Sequence, residues 1–307
     1  MRMGLMAGAT EATGSGLDGL IDFARMAEEK GFDSIWAANI FGLDAVSGLT
    51  LAGRETSRIE LGTAVTPTYP RHPMALAQQA LTASLACQGR FTLGIGLSHK
   101  VVIEDMMGLS YARPASHMDE YLQVIGPLLR GEAVDFEGQE YRVKGALSLP
   151  DAPTPPLIVA ALGPRMLEIA GKYADGTITW VTGPKTLEEH IIPSIQRAAA
   201  EAGRTAPRIV CGLPVAVTSD VDGALETVGK ALQMYSVLPS YRAMLDREGV
   251  AGAADVALIG SEQEVRQRLQ RFRDIGVTDF NAAITPTGEG VFEETLAVLE
   301  AETRGQA

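Results

Sequence analysis

Eight short, nearly continuous apolar runs recur along this chain, and each leads toward a longer stretch with helical spacing. The runs occupy residues 3–7, 34–38, 60–65, 91–96, 157–161, 176–181, 208–217 and 279–284. Helical patterns cover 17–29, 45–55, 74–87, 116–129, 164–174, 187–202, 262–275 and 291–302. A strand with one wet face alternates polar and apolar residues, whereas a strand covered on both faces has no such need. Unalternating runs separated by helices therefore predict a parallel sheet wrapped in helices. Eight such units close into a barrel whose interior fills with side chains. The expected fold class is α/β, a (β/α)8 TIM barrel with insertions at its C-terminal mouth, in preference to a doubly wound open sheet.

A barrel of this kind takes roughly 250 residues. The 307 residues here leave room for insertions within one domain spanning 1–307. The regular beat breaks at 97–113, which reads as irregular, and at 218–260, where a helical pattern over 220–249 is interrupted by Pro239. Both segments are expected to cover the mouth. A small hairpin is expected from 134–136 and 141–143, before a proline-rich extended stretch at 148–156.

Composition narrows the function. A net charge of −12 argues against nucleic acid and against anionic membranes as partners. A small-molecule substrate remains. Cys87 and Cys211 stand far apart and make no disulfide framework, which fits a reducing compartment. No run approaches 18 apolar residues, and the opening residues lack the apolar core of a secretory signal, so a cytoplasmic location is expected.

Two motifs fail on inspection. Gly14-Ser-Gly-Leu-Asp-Gly19 matches G-x-G-x-x-G, but the preceding strand ends near Ala7, several residues too early. The next strand ends at Ala37-Ala38-Asn39, without a carboxylate for a ribose. A loop leading into a helix is the better account. Gly96-Leu-Ser98-His99-Lys100 starts like a nucleophile elbow but lacks its closing glycine. The four histidines show no ligand spacing, so no metal site is expected, and His72, His117 and His190 read as surface residues.

Three segments point to chemistry. Leu61-Gly-Thr-Ala-Val-Thr-Pro-Thr68 lies at the C-terminal end of the third strand, where barrel active sites form. Phe91-Thr-Leu-Gly-Ile-Gly96-Leu-Ser-His99 runs into a glycine-flanked loop that a flat ligand could approach closely. Leu157-Ile-Val-Ala-Ala-Leu-Gly163-Pro-Arg165 opens a helix whose free amides suit a phosphate. Trp180-Val-Thr182-Gly-Pro-Lys185, one strand on, could add a hydroxyl and an ammonium.

These pieces, with Gly31-Phe-Asp-Ser-Ile-Trp36, Gly89-Arg-Phe91, Ala174-Asp-Gly176 and Leu258-Ile-Gly-Ser261, resemble the luciferase-like monooxygenase superfamily in order and spacing. The likeness is strongest to its coenzyme F420-dependent branch. It implies a flavin-type ring lying across the strand ends and a non-proline cis peptide at Ala64–Val65 behind it. It implies a ring site involving Asn39, Gly96 and Ser98. It also implies a phosphate held by Ala161, Leu162, Gly163, Pro164 and Arg165, helped by Thr182, Gly183 and Lys185. Homodimers are common among such proteins.

The chain also departs from the pattern. Asn39-Ile40 stands where several relatives carry Asp-His, and His99 stands where deazaflavin sugar dehydrogenases place a glutamate acid. Sugar-phosphate oxidation is therefore disfavoured. His99 becomes the candidate catalytic proton donor, or else a residue that only lines the mouth. Three functions stay open: a deazaflavin (F420)-dependent oxidoreductase passing hydride to a small organic acceptor, an FMN-dependent monooxygenase, and a binding barrel without turnover.

Overall fold

The structure, a computed structural model, describes residues 1–7 and 16–304. Gly14 and Ser15 of the glycine motif lie outside them. Each of the eight apolar runs forms a strand: β1 (Arg2–Ala7), β2 (Ser34–Ala37), β3 (Glu60–Thr63), β4 (Phe91–Gly96), β5 (Leu157–Ala160), β6 (Gly176–Trp180), β7 (Arg208–Val217) and β8 (Asp279–Ile284). Every neighbouring pair is parallel, and β8 pairs with β1 through Arg2↔Asp279 to Leu5↔Ala282, so the ring closes. The helices around it are α1 (Gly16–Glu29), α2 (Ala45–Arg54), α3 (Pro73–Ala86), α4 (Pro114–Leu129), α5 (Pro164–Tyr173), α6 (Ile192–Glu201), α7 (Val221–Ala231), α8 (Pro239–Glu248), α9 (Glu262–Asp274) and α10 (Val291–Arg304). Local chemistry sets their ends. Ser261 and Glu264 form a reciprocal capping box at the start of α9, and Gly276 takes a left-handed φ of 94° just past its end.

Strand residues divide between two cores because successive side chains point to opposite faces. Leu5, Ile35, Leu61, Leu93, Val159 and Leu213 pack outward with helix residues in the large core. Inside the barrel, Trp36, Ile158, Ile178 and Val210 form a second cluster, with Ala64, Val65 and Ala160 against it. Trp36 fills the lumen because the next strand carries no side chain at that level. A methyl group on Gly62 would lie 2.3 Å from the Trp36 ring. The indole N–H donates to Ser34 Oγ at 2.9 Å.

The N-terminal floor of the lumen is charged. Arg208 reaches Glu60 at 2.9 Å and Asp279 at 2.5 Å, and Arg2 reaches the same two acids at 2.6 and 3.3 Å. Thr92 also donates to Glu60. Burial works to raise the Glu60 pKa, but the two arginines outweigh it and hold the carboxyl below its ordinary value. The polar floor and the apolar middle leave the C-terminal end as the open face.

Several elements differ from the sequence expectation. The irregular 97–113 segment contains a wide helical turn, Val101–Met106. The 220–249 pattern divides into α7, a short 3₁₀ turn at Gln233–Ser236, and α8. The third strand stops at Thr63, and Thr66–Pro67 then pairs with the end of β4. Leu258–Gly260 is a further parallel strand, unforeseen because it is only three residues long. It pairs with Val215–Val217, where β7 outruns its barrel partners.

Candidate active site

The third strand ends in a cis peptide between Ala64 and Val65, as the resemblance implied. The bulge it makes fits only because β4 lacks side chains there. A methyl group on Gly94 would stand 1.9 Å from the Thr63 carbonyl oxygen. One on Gly96 would stand 2.6 Å from Val65 and 3.3 Å from Ala160. Thr63 closes the junction, donating to the Gly94 carbonyl at 2.6 Å and accepting the Gly94 N–H at 2.8 Å. Val65 is thereby set against β4 and the end of β5, on the same rim as Gly163.

Beyond Gly96 the chain turns sharply, with Ser98 at a left-handed φ of 60°. Tyr111 Oη donates to the Ser98 carbonyl at 3.3 Å, tying the 97–113 segment down over the turn. His99 is half-buried, its ring 6.2 Å from Tyr235 and 6.0 Å from Tyr241. Burial lowers its pKa, so the imidazole is held neutral more firmly than a free one. The ring of Trp180, from the end of β6, lies 6.4 Å from Tyr235. The two segments expected to cover the mouth therefore meet there.

A buried aromatic group backs this turn, and it overturns the surface assignment of His117. His117 is stacked 3.9 Å from Tyr69 and hydrogen-bonded to Thr68 Oγ1 at 2.9 Å and Tyr141 Oη at 3.3 Å. Thr68 donates to the Gly96 carbonyl, so a consistent arrangement has His117 Nε2–H donating to Thr68 and Tyr141 donating to Nδ1. His190 is also buried and contacts the Leu162 carbonyl at 2.9 Å, steadying the β5 exit. A helical position marks neither residue as exposed, since α4 and the turn before α6 each turn one face inward. His72 is exposed, and its ring accepts the Met74 N–H at the start of α3.

At the β5 exit, Ala161 is buried, Leu162 is half-buried, and Gly163 is the N-cap of α5 with no side chain capping it. A methyl group on Gly163 would meet no atom within 4 Å, so space lies in front of this helix start. Pro164 and Arg165 are exposed, and Arg165 pairs with Glu168 at 2.8 Å. The β6 exit is more committed. Thr182 donates to the Trp180 carbonyl, and Glu248 at the end of α8 accepts the N–H groups of Lys185 and Thr186. Glu248 also lies against Gly183, where a methyl would be 2.2 Å from its carboxyl carbon. Of the hydroxyl and ammonium expected from this loop, the Thr182 hydroxyl is thus engaged within the protein, the amides of Lys185 and Thr186 are taken by its own carboxylate, and the Lys185 side chain, exposed, extends from it. Asn39 is likewise partly spent: its Oδ1 accepts the Ala45 N–H at 2.9 Å, beside the Arg71–Asp44 pair.

Sequence reasoning placed Ala64, Val65, Gly96, Ser98, His99 and the Gly163 turn on this rim. It did not find Glu248, His117, His190 or the part played by Trp180. A tryptophan ending a strand beside a lid was the available signal for the last. Nothing local marks Glu248, whose partners lie more than 60 residues away.

A sequence profile described as luciferase-like monooxygenase matches residues 1–279. A 5,10-methylenetetrahydromethanopterin reductase of Methanolobus tindarius is 28% identical over 295 residues, covering 87% of this chain and 90% of that protein. An F420-dependent glucose-6-phosphate dehydrogenase of Microbacterium testaceum is 32% identical, over 67% of this chain and 66% of its own length. The fold matches the coenzyme F420-dependent tetrahydromethanopterin reductase of Methanopyrus kandleri with a TM-score of 0.79, at 23% identity and over 100% and 98% of the two chains. It also matches an F420-dependent secondary alcohol dehydrogenase, solved with an F420-acetone adduct, with a TM-score of 0.80 at 21% identity, over 98% and 97%. Because the profile match runs from β1 to the first residue of β8, the chain belongs to the luciferase-like monooxygenase family.

Proposed function

We propose that this protein is a coenzyme F420-dependent oxidoreductase that passes hydride between the reduced deazaflavin and a small organic acceptor. The observation that carries this is the convergence, on one rim, of the Val65 bulge over Gly94 and Gly96, the His99 turn and the uncapped start of α5. The names of the relatives support the choice of deazaflavin.

A flat tricyclic group needs an apolar backing, and the Ala64–Val65 bulge would supply one, seated in the space that the glycines of β4 leave open for it. Its anionic tail needs donors, and the amides after Gly163 are free of a side-chain cap. Ala161, Leu162, Gly163 and Pro164 would shape that corner, with Arg165 turning from Glu168 to add charge. Thr182, Gly183 and Lys185 would flank it, the Lys185 ammonium being the group not already used. Ser98 and the amide nitrogen of Asn39 would border the ring. When bound, the reduced cofactor supplies a hydride. The chain then places the acceptor, keeps water away with the lid rings, and offers the neutral His99 imidazole to relay a proton to it.

The test is a titration of purified protein with coenzyme F420 and with FMN, followed by cofactor fluorescence. Saturable binding of F420 in preference to FMN is expected. No affinity for F420 ends the proposal. With any acceptor the wild type reduces, His99→Ala is expected to slow a single turnover by about 10²-fold. An unchanged rate would remove His99 from the proton step.

A further inference from the structure

The acceptor side of the mouth has a definite chemical character. Four rings from three separated stretches of chain meet there: His99 after β4, Trp180 at the end of β6, and Tyr235 and Tyr241 from the 218–260 segment. The rings stand 4.9 to 6.4 Å apart between centroids, and most pairs meet edge to face. Trp180 is the one residue of β6 that is not buried, and the other three rings are likewise half-buried. Part of the surface of each of these residues is therefore left for a ligand. Aromatic surfaces of this kind favour flat partners that stack or meet them edge-on.

Charge points the same way. The two lid segments, 97–113 and 218–260, carry eight acids against five bases. Four of those bases are already paired. Lys100 lies by Glu104, Arg113 binds Gln139 and Glu140, and Lys230 binds Glu226. Arg242 is held by Asp246 and by the carbonyls of Val250 and Ala251. Arg247 is the fifth and is exposed on α8. These segments leave few unpaired cations for a phosphorylated or carboxylated acceptor.

We infer that the acceptor is an uncharged, planar conjugated molecule that packs on the outer surface of the cluster formed by the lid tyrosines and Trp180, and that sugar phosphates are excluded. This rests on reading the mouth as an oxidoreductase site, but it concerns binding and is tested as binding. Saturation-transfer NMR on the full chain, with cyclohex-2-enone and with glucose 6-phosphate as probes, separates the classes. Transfer to the enone and none to the sugar phosphate is expected. Tyr235→Ala should weaken enone binding about fivefold, while Tyr235→Phe, which keeps the ring, should not. Trp180→Phe, which leaves the lid intact, should weaken it to a smaller extent and serves if Tyr235→Ala does not fold. Binding of glucose 6-phosphate, or enone binding indifferent to Tyr235→Ala and Trp180→Phe, overturns the inference. Enone binding that responds to these variants in a protein without affinity for F420 would instead refute the proposed function and leave the aromatic site standing.

Discussion

His117 is packed among Tyr69, Tyr121 and Tyr141 at 4% exposure, and burial pulls its pKa down to about 4 against a small opposing effect of Glu120. An unfolded chain would protonate the same imidazole near pH 6.5. Between those values the unfolded state binds the extra proton, so this residue's contribution to stability is full above about 6.5 and is lost as pH falls toward 4. The loss amounts to as much as about 3 kcal/mol. Urea unfolding of the wild type should therefore weaken more steeply from pH 7 to pH 4.5 than that of His117→Gln. Equal slopes would show that the ring protonates freely in the folded protein. Neither the burial nor the shift was legible in the sequence, because α4 presents several apolar residues around His117 and two of the three tyrosines that cover it, Tyr141 and Tyr69, come from 24 and 48 residues away. His99, by contrast, could be singled out, since its place directly after a strand end already fixes which end of the barrel it occupies.

At the scale of elements, the strands were legible because burial on both faces leaves a compositional trace in each one. What joins them was less so. The 97–113 and 218–260 segments broke the pattern visibly, but a broken pattern carries no geometry. Glu248 illustrates the gap. It ends α8, a helix of the lid, and accepts the N–H groups of Lys185 and Thr186 at 3.1 and 2.7 Å, acting as an N-terminal cap supplied from another helix. Thr186 adds a hydrogen bond to the Met244 carbonyl of the same helix. Removing such a cap costs about 0.5–2 kcal/mol locally. Glu248→Ala should thus speed amide exchange at Lys185 and Thr186, and along α8, while leaving the strands as protected as before. Exchange unchanged at Thr186 would mean that water replaces the carboxylate at no cost and that α8 is held by its apolar face alone, through Met244 and Leu245.

The whole molecule separates stability from chemistry along the barrel axis. Asp279 is buried on the floor and shares Arg208 with Glu60, a residue 148 positions from that arginine. The mouth, by contrast, is built from glycines, aromatic rings and a free helix start. Opposite-end placement of this kind follows from the parallel direction of all eight strands, which puts every strand exit at one end. That is why the end of the barrel carrying the candidate site could be read from strand order alone, whereas the floor network could not. Its members are single charged residues at strand starts, indistinguishable in sequence from ordinary solvated ends. Replacing Arg208 with methionine keeps most of the volume but leaves Glu60 and Asp279 with only the half-exposed Arg2 between them. Stranding buried carboxylates in this way costs on the order of 3–5 kcal/mol. Arg208→Met should accordingly lower the urea midpoint sharply at pH 7, and recover part of the loss at lower pH as the acids take up protons. If the proposed function holds, its remaining folded fraction should bind F420 as the wild type does, because Trp36 and the lumen cluster stand between the floor and the mouth. A large loss of cofactor affinity without a loss of stability would show that the two ends of the barrel are coupled rather than independent.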